Sequence, residues 1–188
     1  MKYLLASKSP RRKDIIKNSG FSFDIRDSKL NEMLIPKTLS PHKYCMKLAK
    51  LKAIYFRDSY PKHTIIGADT IVVLDGNIIG KPNSFRNAIE ILSKLSDRTH
   101  IVLTGVSIQN KTLDIDESFY DETKVTFCKL SKNKIVNYIK DMRPFDKSGS
   151  YGIQECPSFI EHIQGSFNNV VGFPISMFNQ KLKTLKII

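Results

Sequence analysis

The amino-acid sequence predicts an α/β or mixed α+β fold. Apolar residues alternate between strand-like and helix-like periods, two Ser-Pro pairs open helical stretches, and glycine-containing turns separate the segments. With 188 residues, 41% of them hydrophobic, the chain suits a single domain over residues 1–188, pinched into two lobes, with a core large enough to fold alone. A charged share of 26% describes an ordinary globular surface rather than a disordered one.

Lys2 to Ala6 reads as a buried first strand; it is too short for the core of a signal peptide. Ser9 then caps a helix with Pro10 at its first position, and Gly20 stands just past its end. Phe21, Phe23 and Ile25 alternate as a second strand, and residues 27–39 form a polar loop. Ser40-Pro41 repeats the helix-start signal, and Tyr44, Leu48, Leu51 and Tyr55 form an apolar stripe on the long helix that follows. Thr64 to Leu74 is strand-like, and Asp75-Gly76 turns it back into Ile78-Ile79. A helix from about Ser84 to Leu95 carries Ala88, Ile91, Leu92 and Leu95 on its core face. Strands at Ile101 to Ile108 and about Glu117 to Phe127 are expected to pair. Ser131 caps a helix with Ile135, Tyr138, Ile139 and Met142. A loop at 143–150, a strand around Phe159 to Ile163, a turn at Gly165 and a helix after Pro174 complete the chain.

Composition limits the function classes. No run of 18 apolar residues occurs, so no membrane span is expected, and the protein is expected in the cytoplasm. Cys45, Cys128 and Cys156 are scattered without a CxxC pair, which argues for buried or half-buried thiols in a reducing compartment. His42, His63, His100 and His162 lack partners at metal-ligand spacing. Thirty Lys and Arg against 18 Asp and Glu give a net charge of +12, which attracts anions without choosing among nucleic acid, acidic membranes and phosphorylated small molecules.

Three segments concentrate the chemistry. In Ser7-Lys8-Ser9-Pro10-Arg11-Arg12-Lys13, the first helical turn carries three cations, where the helix dipole favours acidic side chains. The segment is either a phosphate cradle or a tolerated surface cluster; without the glycine-rich stretch it is no P-loop. In Gly67-Ala68-Asp69-Thr70, Asp69 interrupts an apolar strand. A buried carboxylate is expensive unless paired or metal-bound, so Asp69 is a metal ligand or general base, or else caps a turn. Small Gly67 and Ala68 would leave room for a ligand. Lys81, after the hairpin, could return to the carboxylate's end of the strand, and Glu32 sits in a polar loop with no evident structural role. Carboxylates for a divalent cation and fixed cations for developing charge are the inventory of phosphate chemistry. In the third segment, Asp146 to Glu155, two glycines flank Tyr151, and the Gln154 amide can both donate and accept. It suits either the edge of a base or an ordinary turn.

Read in order, these segments, together with Asn169-Val170-Val171-Gly172-Phe173-Pro174, resemble the Maf family of nucleotide pyrophosphatases over residues 3–178. The resemblance implies an elongated α/β protein, its mixed sheet flanked by helices, with a central cleft between two lobes, similar to inosine triphosphate pyrophosphatases. It implies a divalent cation, usually Mg²⁺, and a homodimer. It gives Asp69 the role of proton acceptor, places Ser7, Arg11, Arg12, Lys52 and Lys81 around the phosphates, and makes Glu32 with Asp69 the metal ligands. Arg11, Thr70 and Gln154 match the selectivity positions of the branch similar to dTTP/UTP pyrophosphatases. A second branch, acting on 7-methyl-GTP, has Trp, Gln and Glu there. Asn31, Leu51 and Glu155 depart from the family pattern, where an acidic residue, Glu and Gly are usual.

The expected reaction is therefore hydrolysis of dTTP and UTP to monophosphate and pyrophosphate. A narrower alternative is the same hydrolase acting on modified or purine nucleotides. The rival from another class, suggested by the charge and the family's link to septum formation, is a nucleic-acid-binding or cell-division interaction protein. Strand-binding proteins interleave exposed aromatics with basic residues, whereas here the aromatics fall mostly on apolar faces, so nucleic acid is not the expected partner.

Overall fold

The computed structural model describes residues 2–30, 35 and 38–187. Its elements are β1 (Lys2–Ala6), α1 (Pro10–Lys17), β2 (Phe23–Arg26), α2 (Pro41–Arg57), β3 (His63–Leu74), β4 (Asn77–Ile79), α3 (Phe85–Leu95), β5 (Thr99–Asn110), β6 (Ile115–Phe127), α4 (Lys132–Met142), β7 (Ile160–Gln164), α5 (Phe167–Val171) and α6 (Ile175–Thr184). The strands form one seven-stranded mixed sheet in the order β2-β1-β3-β5-β6-β7, with β4 paired to β3. The sequence expectation of an α/β fold with a mixed sheet and flanking helices holds.

The chain divides into two compact units. The first comprises residues 1–70, 104–121 and 172–188, and the second 71–103 and 122–171. In the first, β1 pairs in parallel with both β2 and β3, with Ala6 opposite Arg26 on one side and Gly67 on the other. The chain leaves β1 through α1 to reach β2, then crosses through α2 to β3. Side-chain alternation along the strands separates the two helices. Leu5, Ile66 and Ala68 pack with Ile16 of α1 and with Phe173, Phe178 and Leu182 at the C-terminal end. Leu4, Ala6 and Ile65 pack with Ala53 of α2. The helices thus cover opposite faces, and β1 and β3 flank the point where the crossover changes side. In open α/β sheets, ligands bind beyond the carboxyl ends of the strands at such a point.

The buried face of α2 corrects the sequence reading. Cys45, Leu48, Ala49 and Ala53 are buried, whereas Tyr55 is exposed and Tyr44 and Leu51 are only half-buried. The cause lies in β3 and β5. A Cβ on Gly67 would overlap the Ala49 carbonyl oxygen, and one on Gly105 would lie 2.5 Å from the Cys45 carbonyl. The helix backbone presses directly on the strands, so small residues line the contact and the large ones are turned away. Gly67 therefore makes room for α2, not for a ligand.

In the second unit, Asp75-Gly76 reverses the chain and sets Ile79 opposite Val72. Ser84 and Ser131 cap α3 and α4 by accepting from the Asn87 and Lys134 amides. The α3 core face is the expected one, but Met142 of α4 is exposed. Phe127 packs edge-on against His100, Tyr151 and Phe159. Helix α5, unforeseen in the sequence, is tied down by buried Asn169, whose amide donates to the Val102 carbonyl at 3.2 Å and to Thr123 Oγ1 at 2.9 Å. Cys45 and Cys156 are buried and Cys128 half-buried, all as free thiols.

Candidate active site

Ser7 directly follows β1, and Asp69 and Thr70 lie near the carboxyl side of the paired stretch of β3. Because side chains alternate, Asp69 points with Gly67 toward α2, and Thr70 points with Ala68 toward α1. Each meets a cation from the helix on its own face.

On the α2 face, Lys52 Nζ lies 2.6 Å from Asp69 Oδ1, and each side chain is 12% exposed. This pair answers the cost that the sequence raised, since a carboxylate in an apolar strand needs a partner. The close approach of α2 at Gly67 sets the geometry: Lys52 lies one turn beyond Ala49, whose carbonyl occupies the space a Cβ would need. Cys45, on the same face, has its thiol pushed up to about 12 by burial and then by the charge of Asp69. It stays a protonated thiol that donates to the His42 carbonyl at 3.2 Å.

On the α1 face, Arg12 is held by three neutral acceptors. Its Nε donates to the Gly172 carbonyl at 2.7 Å, Nη1 to Ser7 Oγ at 3.1 Å and Nη2 to Thr70 Oγ1 at 2.9 Å. Thr70 Oγ1 also lies 2.9 Å from Thr104 Oγ1. Ser9 accepts from the Arg12 amide at 3.4 Å, which completes the helix start expected from Ser9-Pro10. Gly172 has a φ of +124°, a backbone conformation that favours glycine, and it turns its carbonyl toward Arg12. The Asn169-to-Pro174 segment thus has a local task, orienting this guanidinium. Arg11 is half-buried in the same first helical turn.

The structure therefore brings together Ser7, Arg12, Lys52, Asp69 and Thr70 within the first unit. Lys81 and Gln154 belong to the second unit, and both are exposed. Their segments are tied there: the Gly149 amide donates to the Gly80 carbonyl at 3.1 Å. Glu32 and Asn31 lie outside the described residues. Lys52 is marked in the sequence only by the family resemblance, and neither Thr104 nor the Gly172 carbonyl is singled out there. The available signal was Gly67 and Gly105, since glycine inside a strand marks a close backbone approach.

Among the described residues, no group of three or more His, Cys, Asp or Glu side chains could hold a metal ion. A site of the Mg²⁺ type does not require one, because that ion is commonly bound by one or two carboxylates together with substrate phosphates. Asp69, a carboxylate among fixed cations, fits that arrangement.

The model of the family described as Maf-like protein matches residues 2–185. A dTTP/UTP pyrophosphatase of Bacillus pumilus is 44% identical over 185 residues, covering 98% of this chain and 96% of that protein. One of Bacillus cereus is 43% identical over 187 residues, covering 99% and 96%. Among solved structures, the Staphylococcus aureus Ham1 protein aligns with a TM-score of 0.56 over 98% of this chain and 99% of its own, at 15% identity. That likeness is one of fold alone. The match along nearly the whole chain, at this identity to its relatives, establishes that the chain belongs to the Maf family.

Proposed function

We propose that this protein hydrolyses nucleoside triphosphates, dTTP and UTP foremost, to the monophosphate and pyrophosphate. The observation that carries the reading is the arrangement at the β1–β3 switch point. Asp69, paired with Lys52, stands on one face, and the thrice-anchored Arg12 stands on the other. The names and near-complete coverage of the relatives support the substrate class.

Water attacks the α-phosphorus and the bond from that phosphorus to the bridging oxygen of the β-phosphate breaks, so pyrophosphate leaves. Asp69 takes the proton from the attacking water. Lys52 holds that carboxylate in place, and Ser7, Arg11, Arg12 and Lys81 bind the phosphate oxygens. Arg12 enters the reaction already oriented, so the transition state gains a fixed positive charge without reorganisation. Thr70 and Gln154 select the base, Gln154 through its amide edge. Most of the acceleration is positioning and charge stabilisation, as elsewhere in phosphoryl chemistry. Asp69 and Glu32 would hold a divalent cation, Mg²⁺ by expectation, which would supply further charge neutralisation on the phosphates. We place the active protein in the cytoplasm as a homodimer. Among the described residues, no helix is long and apolar enough to cross a membrane.

A panel of nucleoside triphosphates assayed for pyrophosphate release, with and without EDTA, tests the reading. Release is expected to be greatest from dTTP and UTP and to be abolished by EDTA. Asp69→Asn is expected to keep the wild-type circular dichroism spectrum while turnover falls about 10³-fold, the scale of a lost general base. Wild-type turnover in that variant would remove Asp69 from the role.

A further inference from the structure

The turn that carries Gln154 is held by a closed set of contacts within the second unit. The Glu155 amide donates to the Gly152 carbonyl at 2.8 Å, which makes Ile153 and Gln154 the central residues of a four-residue turn. Ile153 is buried and Gln154 is exposed. The Gly152 carbonyl also accepts from the Cys156 thiol at 3.2 Å. The Gly152 amide donates to the Tyr138 hydroxyl at 2.9 Å, and that hydroxyl donates in turn to Glu155 Oε2 at 3.0 Å. The other oxygen, Oε1, lies 3.1 Å from Nζ of Lys147, which is nearly buried and also pairs with Asp146 at 2.9 Å. A Cβ on Gly152 would lie 2.8 Å from the Glu155 carboxyl and 3.0 Å from Lys147 Cε, so the ion pair closes directly over that glycine.

Both ends of the turn are therefore fixed through one carboxylate. A glutamate whose only task is solubility would not engage a nearly buried ammonium and a buried phenol together. Fixing the residues on either side of an exposed amide lowers the ordering cost of any contact that amide makes. We propose that Glu155 is a positioning residue that presents the Gln154 amide to the nucleotide base and thereby sharpens base selection. The proposal rests on the role given to Gln154 above. Glu155 itself touches neither substrate nor the reacting atoms.

The test compares wild type, Glu155→Ala and Glu155→Gln, each with and without Gln154→Ala. With dTTP, Glu155→Ala is expected to raise KM about tenfold, the scale of a lost hydrogen bond to a charged group, and to change kcat less than about twofold. Discrimination against dCTP should fall in parallel. Glu155→Gln keeps an acceptor for Tyr138 and should fall between. In the Gln154→Ala background, Glu155→Ala should leave KM unchanged, because residues that act through one another are not additive. An equal rise in both backgrounds would overturn the proposal. Amide hydrogen exchange of residues 151–156 in the free protein is expected to quicken in Glu155→Ala, and unaltered exchange would also overturn it. That measurement needs no turnover, so a wild type inactive on every nucleotide would sink the functional reading while exchange still decided the positioning one. Should Glu155→Ala fail to fold, Glu155→Gln and Tyr138→Phe carry the same comparison.

Discussion

Lys52 and Asp69 each expose 12% of their side chains, so neither charge is well solvated when its partner is removed. Removing one member of such a pair leaves an uncompensated charge and costs about 3 kcal/mol or more, whereas removing both leaves little to compensate. Lys52→Met is therefore expected to lower unfolding stability by about 3 kcal/mol in urea titrations, and Lys52→Met with Asp69→Asn to recover much of the loss. Simple additivity of the two substitutions would show that the pair is not coupled in this way. At this scale the sequence was informative wherever a residue broke a local rule. Asp69 interrupts an apolar strand, and Arg12 sits where the helix dipole disfavours a cation. Lys52 breaks no rule, because a lysine on a helix is ordinary wherever it points. Its importance comes from the fold that sets it beside Asp69, and only the family resemblance marked it beforehand.

Elements show the same division. The caps at Ser9 and Ser131 and the turn at Asp75-Gly76 are local events, and each stands where the residues indicate, whereas Ser40-Pro41 starts α2 without a side-chain cap from Ser40. The face of α2 is not local. Large apolar side chains predict a buried stripe through Tyr44, Leu51 and Tyr55, but the strands offer α2 two glycines, and a helix seated on glycine buries its smallest residues. Gly67→Ala tests that account. Its methyl group would overlap the Ala49 carbonyl, an atom of helix backbone that no rotamer change can move aside. Overpacking of this kind costs about 1–3 kcal/mol, and a backbone obstacle puts it at the upper end. The denaturation midpoint is expected to fall by that amount at unchanged slope. Turnover should fall too, since displacing α2 carries Lys52 away from Asp69. A Gly67→Ala protein of wild-type stability would mean that α2 does not seat there.

At the scale of the whole molecule, alternating periods suffice to predict an α/β fold with a mixed sheet, whereas strand order follows from crossovers that no single segment encodes. The same holds for buried polar groups whose partners are remote in sequence. His100, one of four histidines with no evident task, is 1% exposed within an apolar and aromatic core, and its Nε2 lies 2.8 Å from the Tyr151 hydroxyl. Burial pulls its pKa down from 6.5 to about 4. Between these values the unfolded chain binds a proton that the folded chain refuses, so stability rises with pH across that window. Its contribution is fully present above pH 6.5 and is lost as the pH falls toward 4. At 1.36 kcal/mol per unit, the whole loss comes to about 3 kcal/mol. Carboxylates add their own slope at the acid end, so the measurement is the difference between two profiles. Unfolding free energy from pH 7 to 4 is expected to fall more steeply in wild type than in His100→Gln, whose amide does not titrate and can still reach Tyr151. The gap should open at about pH 6.5, before most carboxylates begin to protonate. Parallel profiles across the window would mean that His100 takes up its proton in the folded protein as readily as in the unfolded chain, and would overturn the assignment of this slope to its burial.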